Sequence, residues 1–216
     1  MKNTLTEENY LKAIFHLANE KNEILLNELS KFLDVKMPTA NNMMKKFADK
    51  GWVKIESYRP IRITAAGRKE AALVVRKHRL TEMFLVEKMH FGWEDVHEIA
   101  EQLEHVHSHI FFEKMDELLD YPRYDPHGEP IPDKDGVILP NDFRKLSSCA
   151  PGEQAIFKAV TFSEEDFLNY LNNRKLSLET KLDVIAVEQF DGSMVIRANG
   201  KTHSVGFSAA ERILVQ

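Results

Sequence analysis

Apolar residues recur at helical spacing in three segments of the first 51 residues, which are 5–20, 23–35 and 38–51. Each segment presents an apolar face on one side and polar residues on the other. Pro38 stands at the start of the third segment, a position that tolerates proline, and Gly51 stands at its end. The pattern therefore predicts three helices, with a short connection between the second and the third.

Apolar and polar residues then alternate in 52–57 and 61–64, with a turn at 58–60 between the two runs. This alternation predicts a two-stranded hairpin. Three helices followed by a hairpin are typical of a winged helix-turn-helix domain. A generic three-helix scaffold that carries a hairpin is the alternative.

The helical period returns in residues 65–89 and 93–119, and we expect two long helices there. The second has two different faces. Its apolar stripe consists of Ile99, Leu103, Val106 and Ile110. Its polar arc consists of His97, Glu101, Glu104 and His105. Residues 73–119 also hold more large apolar side chains than one helix pair can bury, which predicts a homodimer interface.

Beyond residue 120 the chain changes character twice. Prolines and glycines dominate 121–152, which predicts an ordered loop or linker. The remainder carries short alternating runs separated by Asp191-Gly192 and Asn199-Gly200, which are strong hairpin turns. We expect a small SH3-like barrel with strands at 155–162, 181–189, 194–198 and 203–207 and a helical turn at 164–172.

The charge is distributed unevenly along the chain. Residues 1–80 hold 16 Lys and Arg against 9 Asp and Glu, whereas 81–216 hold 13 against 25. A basic first segment on an acidic body indicates that the first segment meets a polyanion. Cys149 is the single cysteine, which excludes a disulfide framework and a cysteine zinc site. With no apolar run of 18 residues and no signal peptide, we expect a cytoplasmic protein with no membrane partner.

Residue types in the predicted winged helix suit contact with double-stranded DNA. The third helix begins with side chains that can reach base edges or thymine methyl groups, namely Pro38, Thr39, Ala40 and Asn42. Basic side chains that can contact phosphates lie beside them and in the wing, namely Lys36, Lys45, Lys46, Arg59 and Arg62.

Imidazoles and carboxylates gather in residues 78–105. His78 and Glu82 stand four residues apart, and the polar arc of the next helix adds four more such groups. Imidazole nitrogen with carboxylate oxygen and no thiolate suits a divalent metal such as manganese, iron or zinc. A solvated face on an acidic helix is the alternative.

The runs RKHRLTEMFL, EDVHEIAEQLEHV and DPHGEPIP resemble the diphtheria-toxin-repressor family of metal-dependent transcription repressors, in its long form with an SH3-like domain. The resemblance implies two metal sites. One would comprise His78, Glu82 and His97. The other would comprise Glu101, Glu104 and His105, with Asn9 of the first helix.

The residue at position 101 bears on the metal. Iron-responsive members tend to have cysteine there and manganese-responsive members a carboxylate, so Glu101 favours Mn²⁺. Fe²⁺ is the alternative, with Zn²⁺ or Co²⁺ possible in vitro. The chain departs from the family at Asn9, where relatives carry Asp or Met, and at Lys12, where short manganese regulators carry a Glu ligand.

The resemblance implies a repressor that binds operator DNA as a homodimer when metal is bound and controls metal-uptake genes. An iron-responsive repressor and a metal-independent DNA-binding regulator are the alternatives. An enzyme is disfavoured, since no nucleophile or base signature accompanies the metal-like cluster, and we expect no small-molecule substrate. The fold is expected to be mainly α with small β parts. Its segments are a winged helix-turn-helix DNA-binding domain (1–72), a helical metal-binding and dimerisation domain (73–140), a linker (141–152) and an SH3-like domain (153–216).

Overall fold

The computed structural model describes residues 3–216 and divides into two compact units. Unit 1 comprises the described residues up to Thr81, together with Glu101–Tyr121 and Ile131–Leu139. Unit 2 comprises Glu82–Ala100, Pro122–Pro130 and Pro140–Gln216. No helix within residues 3–216 has both the length and the apolar composition that a membrane span requires.

Unit 1 begins with three helices and a small antiparallel sheet. The helices are α1 (Leu5–Leu17), α2 (Leu26–Phe32) and α3 (Met37–Asp49), and the strands are β1 (Glu23–Ile24), β2 (Val53–Lys54) and β3 (Ile61–Ile63). Thr4 and Glu7 form a capping box at the start of α1, which pairs backbone N–H groups that a helix end otherwise leaves unbonded. The predicted winged helix-turn-helix is thereby confirmed.

One core joins these elements. Leu11 of α1, Leu29 of α2, and Met44 and Phe47 of α3 are fully buried in it. The rings of Tyr10 and Phe47 meet edge to face with their centroids 6.5 Å apart. Because α1 and α3 share this core, a displacement of α1 would disturb the packing of α3.

The second helix begins later than predicted. Glu23 and Ile24 pair with Arg62 and Ile61 as a third strand of the wing sheet, in the order β1-β3-β2, so α2 starts only at Leu26. The predicted start at residue 23 was wrong because Ile24 and Leu25 fit the apolar face of a helix and a short strand equally well.

Helix α4 (Ala65–Met89) has the bounds that the sequence predicts. The single helix predicted over 93–119 is wrong, because the chain forms α5 (His97–Leu103) and α6 (His109–Leu118) instead. The Ser108 hydroxyl accepts a hydrogen bond from the Phe111 N–H at 3.3 Å and caps the start of α6. The apolar period runs on across this break, so periodicity alone did not reveal it.

The break changes what the two predicted faces do. Glu104 and His105 lie in the turn after α5, not on a helical face. Val106 and Ile110 are 36% and 71% exposed, whereas Ile99 and Leu103 are half-buried, so the predicted apolar stripe packs only in part within the described chain. Apolar side chains therefore remain exposed along this part of unit 1.

Unit 2 contains a six-stranded antiparallel sheet in the order β4-β9-β5-β6-β7-β8. Its strands are β4 (Arg144–Lys145), β5 (Gln154–Val160), β6 (Lys181–Val187), β7 (Met194–Ala198), β8 (Lys201–Val205) and β9 (Ile213–Val215), with helices α7 (Glu165–Asn172) and α8 (Phe207–Ala210) between them. Phe157, Leu168 and Ile196 are fully buried in its core.

The hairpin turn predicted at Asn199-Gly200 is confirmed, whereas strands β4 and β9 were not predicted. Asn199 and Gly200 have φ of 50° and 73°, and this left-handed pair joins β7 directly to β8. Strand β4 lies inside the predicted linker, and β9 lies at the end of the described chain. They have two and three residues, too few to show alternation, and form because each finds a partner strand.

Candidate metal centres and DNA interface

Unit 1 gathers imidazole and carboxylate groups from three parts of the chain. The His78 Nδ1 of α4 lies 2.5 Å from the Glu104 Oε2, in the turn after α5. The His105 Nδ1 lies 2.7 Å from the Oε2 of Glu8 on α1, and its Nε2 lies 3.7 Å from the Glu104 Oε1. We call this group the α1 centre, and it comprises Glu8, Asn9, Lys12, His78, Glu101, Glu104 and His105.

Glu104 is the most enclosed carboxylate of the α1 centre, with no exposed surface. Burial alone would raise its pKa. The hydrogen bond with His78 and the positive charge of Lys12 outweigh this effect, and the pKa of Glu104 falls below its ordinary value. Glu104 is thus held as an anion, the form that ligates a metal.

Two lysines also reach the carboxylates of the α1 centre. The Lys12 ammonium pairs with Glu101 and hydrogen-bonds the Glu104 Oε2 at 3.1 Å. The Lys77 Nζ lies 2.7 Å from the Glu8 Oε1. The negative charge of the centre is therefore compensated by ammonium groups from α1 and α4.

An unpaired oxygen atom at the α1 centre indicates that its residues fit a metal ion. Among residues 3–216, the buried Asn9 Oδ1 accepts no hydrogen bond. The buried Glu104 Oε1 lies 2.9 Å from the Lys12 Nζ and forms an ion pair with it. Buried oxygens are nearly always hydrogen-bonded in folded proteins, unless another kind of partner such as an ion takes their lone pairs. Imidazole nitrogens and these oxygens together form a donor set for a hard or borderline divalent cation.

Unit 2 holds a second group. The His97 Nδ1 lies 3.2 Å from the Glu82 Oε1, and the His127 Nδ1 lies 3.7 Å from the Glu82 Oε2. Glu82, Asp125 and His127 are buried, and each offers one ligand atom within 4.8 Å of the others. We call Glu82, His97, Asp125 and His127 the loop centre, because two of them lie on the loop 122–130.

Hydrogen bonds hold this loop in place. The Asp125 Oδ1 accepts bonds from the backbone N–H groups of His127 and Glu129 at 2.8 and 2.9 Å. Gly128 has φ of 84°, and a Cβ there would come within 2.1 Å of the Lys158 carbonyl oxygen. Only glycine fits at this position, which fixes the path of the loop.

His127 is oriented as a ligand would be. Its Nε2 lies 2.8 Å from the Trp93 carbonyl oxygen, and its ring stacks on Trp93. An N–H that donates from Nε2 leaves Nδ1 directed toward Glu82. Nδ1 carries a proton while the ring is charged and offers its lone pair once that proton is lost. Burial opposes protonation of His127, but the hydrogen bond and charge of Glu82 prevail and raise its pKa to about 9.

The structure agrees with the expected grouping in one contact and adds another across the two expected sites. Glu82 and His97, which the resemblance assigns to one site, contact each other, and His78 of the same site contacts Glu104, assigned to the other. Sequence reasoning missed Glu8, next to the predicted Asn9. It also missed Asp125 and His127, although the run DPHGEPIP was noted; an acidic residue two positions from a histidine beside a glycine was the available signal.

Most residues of the predicted DNA interface are exposed. Lys36, Pro38, Thr39, Asn42 and Lys45 lie on the exposed side of the start and middle of α3. Ala40 is the exception, and its assignment to DNA was wrong: the residue is fully buried in the core, where its methyl group packs against other helices. The helical period places positions 39 and 42 on a different face from position 40.

Three of the predicted phosphate contacts already have acidic partners. The Lys46 Nζ lies 3.2 Å from the Glu7 Oε1, which also pairs with Lys50. Arg59 and Arg62 of the wing pair with Glu56 and Glu23 at 3.1 and 3.0 Å. All three cations are well exposed, so these pairs are weak and can be exchanged for a phosphate.

A winged helix joined to a helical region with two imidazole–carboxylate centres defines a DNA-binding protein of the metal-regulated class. Three family descriptions match the chain. They are the iron dependent repressor N-terminal DNA binding domain over residues 3–61, the iron dependent repressor metal binding and dimerisation domain over 64–133, and the FeoA domain over 144–216. The chain belongs to the diphtheria-toxin-repressor-like family of metal-dependent transcription repressors.

Individual relatives cover different shares of the chain. A solved manganese-dependent transcriptional repressor in complex with manganese is 31% identical, with a TM-score of 0.86 over 97% of this chain and 98% of that one. The iron-dependent repressor IdeR of Mycobacterium tuberculosis is 34% identical over 127 residues, which span 59% of this chain and only 55% of that repressor. The diphtheria toxin repressor of Corynebacterium efficiens is 28% identical over 90% of this chain and 88% of its own length.

Proposed function

We propose that the protein is a Mn²⁺-dependent repressor that binds operator DNA as a homodimer, and that the α1 centre is its switch. One observation carries the proposal. Glu8 on the first DNA-binding helix contacts His105 in the turn after α5, so the centre joins the winged helix to the region beyond it. A ligand that tightens this contact fixes α1, and α1 shares its core with α3.

The residues that would hold the ion at the α1 centre are His78, Glu101, Glu104 and His105, with Glu8 and Asn9 from α1. A bound divalent cation would supply positive charge that draws these donors together. The chain's own part is to provide an anionic, buried Glu104 and two donors on α1. Differential affinity of the ion for the DNA-competent arrangement would then shift the population toward it.

Oxygen and imidazole donors favour Mn²⁺. Both centres offer carboxylate oxygens and imidazole nitrogens, and the single cysteine, Cys149, lies buried in the core of the C-terminal sheet. A donor set without thiolate suits manganese better than the softer ions. Fe²⁺ remains the second candidate, because relatives of this chain carry the name of iron-dependent repressors.

We propose the loop centre as a second metal site, with Glu82, Asp125 and His127 as donors and His97 beside Glu82. The ligand atoms are close enough to share one ion, and the Trp93 carbonyl orients the imidazole. Among the described residues 3–72, none contributes a donor to it. Its role would be to hold the loop 122–130, not to position the DNA-binding helices directly.

The homodimer would use α6. Ile110, Phe111 and Leu118 are 71%, 42% and 61% exposed on this short helix, within the region matched by the family's metal binding and dimerisation domain. Apolar exposure of this kind is typical of an interface. Sedimentation should give twice the 24.9 kDa chain mass. Ile110→Glu should shift the equilibrium to monomer, and a monomeric wild-type protein with Mn²⁺ present would contradict the dimer.

DNA binding that depends on metal tests the proposal as a whole. A duplex would first be selected from a random-sequence pool with protein and Mn²⁺, then labelled for fluorescence anisotropy. We expect about 100-fold tighter binding in excess Mn²⁺ than in chelator, within the range of allosteric couplings. Parallel titrations with Fe²⁺ are made under anaerobic conditions at matched free concentrations. The metal that gives the tighter DNA binding is assigned as the effector. Equal affinity in chelator and in both metals would contradict the proposal.

A further inference from the structure

Lys12 places an ammonium group inside the α1 centre. Its side chain is only 13% exposed, and its Nζ pairs with Glu101 and with both carboxylate oxygens of Glu104, at 2.9 Å and 3.1 Å for the latter. Glu104 itself has no exposed surface. This is a cation held by two of the carboxylates that would otherwise meet a metal.

The contact is an unusual one for a lysine. Lysine side chains near a protein surface usually extend into water, where an ion pair contributes little. Here the ammonium is withdrawn from water and faces two acidic groups at once. It bears one positive charge and offers only hydrogen-bond donors, so it can neutralise the carboxylates but cannot itself ligate a metal while protonated.

We propose that Lys12 is a resident counter-cation, which holds Glu101 and Glu104 in the metal-free protein and must be displaced from them when a divalent ion binds. This inference rests on the proposed function. If Lys12 must be displaced, the metal affinity is lower than the donor atoms alone would give, because metal binding must break the ion pairs of Lys12. The same ion pairs keep the metal-free centre from being disrupted by repulsion between its carboxylates.

Two other enclosed basic residues of unit 1, Lys77 and Arg76, differ from Lys12 in what they contact. Lys77 also reaches a carboxylate of the centre, but it takes only the Glu8 Oε1 and leaves the Oε2 to His105. Arg76 forms an equally enclosed pair with Asp116, at 15% and 12% exposure, and its guanidinium also donates to the Pro132 carbonyl at 2.6 Å. That pair involves no residue of either centre, so Arg76 provides a control for the loss of an enclosed ion pair.

The test is Mn²⁺ binding by Lys12→Met and Lys12→Gln, with Lys12→Arg to keep the charge and Arg76→Met as the control for loss of an enclosed ion pair. Free Mn²⁺ is followed by its electron paramagnetic resonance signal in the full-length protein at fixed pH. All variants carry His127→Ala as well, so that the loop centre does not add to the count. Unfolding in chelator is measured on the same samples.

We expect Lys12→Met and Lys12→Gln to bind Mn²⁺ about tenfold more tightly, as loss of a competing enclosed ion pair implies. In chelator, both variants should melt at a lower temperature than the parent protein. Added Mn²⁺ should raise their melting temperature by more than it raises that of the parent. Lys12→Arg should keep the original affinity, and Arg76→Met should lose stability with no change in affinity.

Each outcome bears on a different claim. Unchanged or weaker Mn²⁺ affinity in whichever neutral variant folds would overturn the inference and leave the proposed function standing. A neutral variant that folds only when Mn²⁺ is added supports the inference, because it exposes the repulsion that Lys12 relieves. A parent protein that takes up no Mn²⁺ contradicts the proposed function itself.

Discussion

The α1 centre and the loop centre offer the same kinds of donor, but their charges are balanced in different ways. Lysines 12 and 77 compensate the carboxylates of the α1 centre, whereas His127 with a raised pKa faces Glu82 in the loop centre. The α1 centre takes residues from α1, whereas the loop centre takes none from the described part of the DNA-binding segment, residues 3–72. Under our proposal, similar ligand chemistry serves a switch at the α1 centre and a structural support at the loop centre.

The largest expected difference is in DNA affinity after one donor is removed from each centre in turn. We expect Glu104→Gln to lower DNA affinity in Mn²⁺ by about 100-fold and His127→Gln by about tenfold or less. Glu104 would bind the ion that fixes α1, whereas His127 would bind an ion that only holds the loop 122–130. Anisotropy with the selected duplex measures both. Asp116→Asn, which alters a buried carboxylate outside the centres, should lower stability alone. A larger loss for His127→Gln than for Glu104→Gln would reverse the assignment.

Glu7 and Glu8 provide a sharper comparison, because they are adjacent buried carboxylates on α1. Glu8→Gln should weaken Mn²⁺ binding about tenfold, as loss of a contact to the His105 imidazole implies. Glu7→Gln should leave Mn²⁺ affinity unchanged, because Glu7 pairs with Lys46 and Lys50 outside the centre. Equal Mn²⁺ affinities for the two variants would count against a role for α1.

The effect of Glu7 should instead appear in stability and should depend on pH. Burial opposes its ionisation, but the hydrogen bonds from Lys50 and Thr4 lower its pKa to about 2 from 4.5. A depressed carboxyl pKa stabilises the fold above about pH 4.5, and this contribution is lost as the pH falls toward 2. Denaturant unfolding in chelator should show Glu7→Gln less stable by about 2 kcal/mol at pH 7. The difference should narrow steadily below pH 4.5, and a constant difference would contradict the pairing.

The smallest expected effect distinguishes two neighbouring lysines of α3. Lys46 pairs with Glu7, whereas Lys45 is exposed and has no ion pair among residues 3–216. Lys45 can therefore contact a DNA phosphate without first breaking an ion pair. We expect Lys45→Ala to reduce the slope of log affinity against log salt by about 1, and Lys46→Ala by less. Identical slopes for both variants would show that the Glu7 pair is irrelevant to DNA binding.

Sequence reasoning reached the fold class and the α4 bounds, because long periodic segments and Gly-containing turns act locally. It failed where a segment forms a strand only because a neighbouring strand pairs with it. Glu23 and Ile24 became a strand only because β3 lies beside them, and β4 formed for the same reason. The break before α6 covers residues 104–108 and ends at the capping Ser108, inside an apolar period that gives no sign of it.

The candidate sites show the same division. The histidines and glutamates of 78–105 were visible as a cluster, since helical spacing brings them together in the sequence itself. Glu8, Asp125 and His127 were not, because they reach their partners only through tertiary folding. Burial of Ala40 also could not be read from residue type, as alanine suits a core and a groove equally well.

Reciprocal coupling between Mn²⁺ and DNA tests the central claim most directly. Two ligands coupled through one protein must change each other's affinity by the same factor. The Mn²⁺ affinity of the α1 centre would be measured by electron paramagnetic resonance in the His127→Ala background, with and without saturating duplex. Our account predicts tighter Mn²⁺ binding with the duplex, by the factor by which Mn²⁺ tightens DNA binding in that same variant. An Mn²⁺ affinity that is the same with and without DNA would contradict it.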